Sequence, residues 1–415
     1  MVKRALLIAY HFPPVRVSSG IQRTLKFAQY LPEFGWQPSV LSIHPRAYSL
    51  VSDDQLKEIP ASITVKRALG WDTARHLSIK GRYPRFLALP DRWVSWWLGG
   101  VAAGLRLIRK ERPLVLFSTY PIATAHLIGL TLHKITGVPW VADCRDSMTE
   151  PHYPADEAQR KAFQWIERHT VANCARMVFT TPGALCMYRD RYPHVSETRW
   201  AMIANGYDEE NFSRATGQLA SPRNESDRLI LVHSGLLYPS ERNPIPFFQA
   251  LADLKQRKRI SADTLQIVLR ASGHEQYFKR YLEQYAIQDI VKFEPTLPYE
   301  TALREMLEAD GLLLFQAANC NHQIPAKVYE YLRARRPILA VTDHAGDTAK
   351  LLVGAGIDSI VSISDCADIA RGLEKFLEQM KQGGPALPDM ATVLSHSRHA
   401  RTRELAELFD QVIVA

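Results

Sequence analysis

Short apolar runs alternate with longer segments of helical period along nearly the whole chain. Residues 5–10 (ALLIAY), 39–43, 114–118, 139–143 and 177–180 predict strands, and 21–31, 96–109 and 122–135 predict helices between them. The second half repeats the rhythm, with strands at 229–233, 265–269, 311–315 and 337–341. Its helices are expected over 244–256, 275–285, 326–334 and 347–352. Strands apolar on both faces belong to parallel sheets covered on both sides by helices. The fold class is therefore α/β, with two doubly wound domains. The polar stretch 213–227 (SRATGQLASPRNESD) reads as the linker between residues 1–212 and 228–390. Residues 391–415 form a tail whose stretch 392–414 predicts a final amphipathic helix.

The chain has 415 residues, 46% hydrophobic and 23% charged, the balance of a soluble globular protein. Its longest nearly uncharged apolar run, 93–105, is too short for a membrane-spanning helix. The opening Met1-Val2-Lys3-Arg4 precedes only a short apolar run, so no secretory leader is expected. Five dispersed cysteines without a C-x-x-C pair argue for a reducing compartment, buried thiols and no zinc site. The net charge of +8 is unevenly spread. Residues 1–215 hold 28 basic against 18 acidic side chains, and the remainder 23 against 25. A basic first half admits nucleic acid, an anionic membrane surface or a phosphorylated ligand as partner.

Open parallel sheets bind ligands beyond the carboxyl ends of their strands, so residues just after strands matter most. The first such segment runs from Tyr10 to Gly20 and matches neither the dinucleotide fingerprint nor the phosphate loop. Gly20 at a helix start either offers backbone N–H groups to an anion or belongs to a surface turn. Asp143-Cys144-Arg145-Asp146 follows another strand; Arg145 either pairs with a neighbouring carboxylate or faces a ligand. After His233-Ser234-Gly235, Asn243 suits a helix cap and Pro244 the first turn. That sets Arg242 at the positive end of a helix, where either a bound phosphate or a partner such as Glu241 would offset the cost. Lys327 repeats the pattern after Pro325, with Glu330 three residues on. A surface Lys–Glu pair explains that spacing alone. It does not explain cations at two successive helix starts.

Residues 324–340 (IPAKVYEYLRARRPILA) resemble the nucleotide-sugar signature of the family 4 retaining glycosyltransferases. YHFPP at 10–14, Pro90-Asp91 with Trp97, PWVADCRD at 139–146, Ala204-Asn205-Gly206-Tyr207-Asp208 and HSGLLYPSERNP at 233–244 recur in that family in this order. The resemblance implies a GT-B fold, two Rossmann-like domains facing across a cleft, the first receiving the acceptor and the second the donor sugar nucleotide. It implies also that the last helix crosses back to the first domain. Glu330 matches the second glutamate of the family's E-x7-E motif, which accepts hydrogen bonds from the donor ribose. His322 stands where the first glutamate would be, beside the donor sugar, and Leu236 where an arginine is common. Arg242 and Lys327 match the cations that hold the diphosphate, near Gly235 and Pro325. Gly20 matches the loop over the donor phosphates. Arg145 and Asp146 lie near the position of a histidine beside the transferred sugar.

The implied reaction is transfer of a sugar from a nucleotide-diphosphate donor to a glycan or lipid-linked acceptor, with retention at the anomeric carbon. Arg242, Lys327 and the helix start at Pro325 would stabilise the leaving diphosphate. No Asp-x-Asp motif is present to hold a metal, and no cofactor beyond the donor is expected. Surface polysaccharide synthesis in the cytoplasm, peripheral to the inner face of the membrane, is the context the resemblance suggests. Residues 82–86 (RYPRF) and 92–97 (RWVSWW) interleave cations with aromatics and admit two readings. They rest on an anionic membrane, or Trp93, Trp96 and Trp97 pack into the core. Nucleic acid is not expected, for want of a binding motif or continuous basic stripe. A sugar-nucleotide epimerase and an inactive relative remain the alternatives on this fold.

Overall fold

The computed structural model describes the whole chain except residues 1, 17–19, 54, 152, 218–227 and 415. Its contacts divide into two units, one of residues 1–205 and 398–415, the other of residues 206–397. The first holds β1 (Lys3–Ala9), β2 (Trp36–Ile43), β3 (Thr64–Ala68), β4 (Val115–Thr119), β5 (Trp140–Cys144), β6 (Arg176–Phe179) and β7 (Trp200–Met202). These form one sheet in the order β3-β2-β1-β4-β5-β6-β7, every pairing parallel. The second holds β8 (Leu229–Ser234), β9 (Leu265–Arg270), β10 (Val291–Glu294), β11 (Gly311–Gln316), β12 (Ile338–Thr342) and β13 (Ile360–Val361). Its order is β10-β9-β8-β11-β12-β13, again parallel throughout. Both units are Rossmann-like, with helices between successive strands and a reversal of strand order at one point in each sheet.

The central strands are buried along their length, as β4 and β12 show, because helices cover both faces. Leu6, Ile8, Val40, Leu116, Phe117 and Val141 anchor the core of the first unit, and Leu231, Leu269, Leu313, Phe315 and Val341 that of the second.

The division falls at residue 205, ahead of the polar stretch expected to link the domains. Residues 213–216 end the helix Glu209–Thr216, and 218–227 lie outside the described residues. That helix belongs to the second unit, where Arg333 grips Glu209 through two hydrogen bonds of 2.5 and 2.6 Å. The tail is two helices, Met390–Ser395 and Arg398–Val414, where one was expected. The second of them belongs to the first unit. Leu405, Phe409 and Val412 join its core, and Asp410 accepts hydrogen bonds from Trp36 Nε1 at 3.0 Å and Lys3 Nζ at 2.7 Å. The cysteines are free; Cys144, Cys174 and Cys320 are buried, but Cys186 is exposed and Cys366 half-buried, against the expectation for all five.

Candidate functional site

In the second unit the strand order reverses between β8 and β11, and the predicted residues gather at that point. His233, near the end of β8, is fully buried. Its Nδ1 lies 2.8 Å from the Leu313 carbonyl, so Nδ1 carries the proton and donates. Nε2 is left as an acceptor, and Lys327 Nζ donates to it at 3.3 Å. Burial, then Lys327 and Arg242, hold the imidazole well below its ordinary pKa, so it is neutral.

Lys327 opens the helix Lys327–Ala334. Its ammonium is pulled down to about 7, first by burial and next by Arg242, against the opposing charge of Glu330. Gly235 makes room for it. This residue has φ +119°, and a Cβ there would stand 2.7 Å from Lys327 Nζ. Only glycine suits both the backbone conformation and the close approach.

Arg242 lies in the loop after β8, its guanidinium 5.6 Å from the Tyr238 ring centroid and donating to the Leu236 carbonyl at 3.3 Å. The following helix, Ile245–Gln256, begins one residue later than expected, with Pro244 in the cap position. The Asn243 side chain accepts from the Ile245 N–H at 3.0 Å. Pro325 likewise precedes its helix, and its carbonyl accepts from the Val328 N–H at 3.0 Å. Glu330, half-buried in the first turn, accepts a 2.7 Å hydrogen bond from the Tyr299 hydroxyl. His322 lies in the loop after β11, with Nε2 3.5 Å from Gln323 Nε2.

The loop after β8 and the loop after β11 are fastened together. The Ala317 N–H donates to the Glu241 carbonyl at 2.7 Å, and Asn319 to the Ser240 carbonyl at 3.2 Å. Buried Gln316 bonds the carbonyls of Cys320 and Gln323 and accepts from Thr348, which fixes the segment carrying His322. Two cations, a neutral imidazole and a carboxylate thus stand at the carboxyl ends of two adjacent strands. Such a set can hold a doubly charged diphosphate by hydrogen bonds and charge, and hydroxyl groups at Glu330.

The first unit has its own reversal point, between β1 and β4. Arg145, just past β5, donates from Nε to the Tyr120 carbonyl at 2.6 Å and from Nη2 to His11 Nδ1 at 3.3 Å. It thus reaches across the ends of β4 and β1. Burial first, and Arg145 second, lower the His11 pKa to about 3, so its ring is a neutral acceptor. A Cβ on Gly20, at the start of the helix Gly20–Tyr30, would run into the Arg145 guanidinium. Asp146 is exposed and its charge favours the cationic form of Arg145. Asp143 takes a different partner. It is fully buried and accepts from Arg23 at 2.7 and 3.1 Å and from Thr119 at 2.8 Å. Arg23 also donates to the carbonyls of Ile203 and Ala204.

Sequence reasoning did not assign His233, Tyr299, His11 or Arg23. The first and third end apolar strands and were visible there; the other two depend on contacts far along the chain. Of the aromatic stretch, Trp96 is fully buried, and Trp93 and Trp97 pack partly buried against the core, which is the core reading. Among the described residues no group of three or more His, Cys, Asp or Glu side chains is placed to hold a metal ion.

Residues 19–206 match the family model described as a glycosyl transferase 4-like domain. Solved structures of the same fold cover nearly the whole chain. WaaG, a glycosyltransferase involved in lipopolysaccharide biosynthesis, is 14% identical with a TM-score of 0.58, covering 99% of this chain and 98% of its own. The trehalose 6-phosphate synthase of Burkholderia multivorans is 11% identical with a TM-score of 0.67, covering 100% and 98%. The sucrose-phosphate synthase of Thermosynechococcus elongatus is 14% identical with a TM-score of 0.64, covering 99% and 96%. No curated protein matches the sequence. The family match is thus confined to residues 19–206, and at these identities the solved structures speak for the fold alone, which is GT-B.

Proposed function

We propose that this chain is a glycosyltransferase that moves a sugar from a nucleotide-diphosphate donor to a glycan or lipid-linked acceptor, with retention of anomeric configuration and without a metal ion. The observation that carries the reading is the cluster of Lys327, neutral His233, Arg242 and Glu330 at the ends of β8 and β11. The bond from the anomeric carbon to the diphosphate oxygen breaks, and the acceptor hydroxyl oxygen bonds that carbon on the same face. The departing phosphate oxygen takes the acceptor proton. Lys327 and Arg242, with the backbone N–H groups after Pro325, take up the charge growing on the diphosphate. His233 Nε2 holds Lys327 by accepting a hydrogen bond from one ammonium N–H, which leaves the other two N–H groups for phosphate oxygens. Glu330 accepts from the ribose hydroxyls, and His322 stands on the side of the donor sugar.

In the first unit, Gly20 is assigned to the donor phosphates, and Arg145 with Asp146 to the transferred sugar. The reading needs no cofactor beyond the donor and sets the enzyme in the cytoplasm, in synthesis of surface polysaccharide. Incubating the purified chain with a panel of nucleotide sugars and a cell-envelope lipid extract tests it. Acceptor-dependent release of nucleotide diphosphate from one donor, with the α or β form of the donor kept in the product, is expected. Donor epimerised with its nucleotide still attached, or no release from any donor, refutes the reading.

A further inference from the structure

The helix Tyr299–Glu308 follows β10 through the segment Pro295-Thr296-Leu297-Pro298. A proline fixes φ at each end of that segment. Arg270, the last residue of β9 and only 9% exposed, ties the segment to the helix behind it. Its Nη1 donates to the Pro295 carbonyl at 2.9 Å, and its Nε and Nη2 take the two carboxylate oxygens of Glu305, the first at 3.0 Å. A two-pronged grip of this kind fixes direction as well as distance. Leu303, Met306 and Leu307 bury the apolar face of the helix. Its first residue, Tyr299, is thereby held in one place.

That place is beside Glu330. The Tyr299 hydroxyl donates to Glu330 Oε1 at 2.7 Å, across 31 positions of sequence. Glu330 has a charged neighbour much nearer in the chain. Lys327 lies three residues earlier in the same helix, the spacing at which a lysine and a glutamate close into an ion pair. Here they do not. The Lys327 ammonium makes its hydrogen bond to His233 Nε2 at 3.3 Å, and among the described residues no ion pair joins it to Glu330. The charges that act on it are Arg242, from the loop after β8, and Glu330 at longer range, with the imidazole of His233 neutral.

An ion pair between Lys327 and Glu330 would undo the site twice over. It would cancel the charge of the ammonium before a diphosphate arrived, and it would turn the carboxylate away from a ribose. A phenol hydroxyl binds a carboxylate without neutralising it, so Tyr299 competes with Lys327 for Glu330 and leaves both charges intact. We propose that Tyr299 is a positioning residue, whose hydroxyl keeps the Glu330 carboxylate off Lys327 and so presents the two to the donor as separate groups. The inference rests on the proposed function for what the two groups do, and deepens it.

Tyr299→Phe removes the hydroxyl and keeps the ring, at a position 37% exposed. The Lys327 Cε resonance is followed by NMR against pH in the full chain without any donor, and is assigned by its loss in Lys327→Arg. In Tyr299→Phe the midpoint should rise by about one pH unit, because the released carboxylate comes closer to the ammonium. In a Glu330→Gln background the same substitution should leave the midpoint unchanged, an outcome that lost packing alone would not give. Calorimetry at pH 7 with UDP, GDP, ADP and dTDP reads the consequence. Whichever of them binds the unaltered chain should bind Tyr299→Phe about five- to tenfold more weakly. An unmoved or lowered midpoint in Tyr299→Phe, or an equal rise with Glu330 replaced, would overturn the proposal. A raised midpoint with no binding of any of the four diphosphates supports the contact and refutes the donor reading.

Discussion

Raising the pH from 6 to 8 should weaken nucleotide-sugar binding about tenfold, and Lys327 should account for the change. Its ammonium titrates at about 7, because burial and Arg242 outweigh the attraction of Glu330. At pH 6 about nine-tenths of the chains carry the charge and at pH 8 about one-tenth. If a diphosphate binds the charged form, the apparent affinity falls in that ratio, worth about 1.4 kcal/mol. His233 stays neutral across this window, its pKa lying well below 6.5. The donor diphosphate, esterified at both ends, keeps its charge throughout. Calorimetric titration of the donor at constant ionic strength measures the effect. Lys327→Met should bind weakly at pH 6 and show a flat profile. Arg242→Gln should move the midpoint to higher pH by removing a like charge, and Glu330→Gln to lower pH by removing an opposite one. The same depressed pKa has a sign for stability. The folded state holds fewer protons than the unfolded between about 7 and 10.5, so this residue's contribution to stability rises with pH there. Flat donor affinity in the unaltered chain, or midpoints moving the opposite way in the variants, would refute the reasoning.

Glu330→Ala should weaken donor binding, and Arg242→Ala should lower turnover as well; unchanged affinity and rate in both would remove these residues from the site. Gly235→Ala combines a strained φ with a Cβ 2.7 Å from Lys327 Nζ and should cost about 1–3 kcal/mol, read from the urea midpoint. Its donor affinity should fall further than its stability explains. Asp143→Ala leaves the Arg23 guanidinium, 2% exposed, without its carboxylate, and should cost about 3–5 kcal/mol; less than 1 kcal/mol by denaturant titration would show that the pair anchors nothing.

The nine strands expected from apolar runs are the interior strands β1, β2, β4, β5, β6, β8, β9, β11 and β12. The four that escaped, β3, β7, β10 and β13, are the edges of the two sheets. The reason is physical. An interior strand is covered on both faces and paired on both sides, so it is apolar residue after residue. An edge such as β3, TVKRA, alternates exposed and sheltered positions, and β13 has two residues. Of the candidate site, Arg242 and Lys327 stand out in the sequence because a cation at a helix start is disfavoured by the helix dipole, and Arg145 because it directly follows an apolar strand. The hydrogen-bond partner of Lys327, His233, is 94 positions away, and Tyr299 reaches Glu330 from 31 positions away. No local pattern encodes such pairings.

The helix Arg398–Val414 also sets an order of events during synthesis. The first unit cannot close its core until these last residues leave the ribosome, after the whole of the second unit. At usual elongation rates that interval lasts roughly 10–40 s. Throughout it, Trp36 and Phe117 lack Phe409, whose ring later rests 5.2 and 6.0 Å from theirs. The second unit, being continuous from 206 to 397, meets no such delay. A fragment ending near residue 205 therefore carries the family 4-like sequence but not the complete hydrophobic core that goes with it.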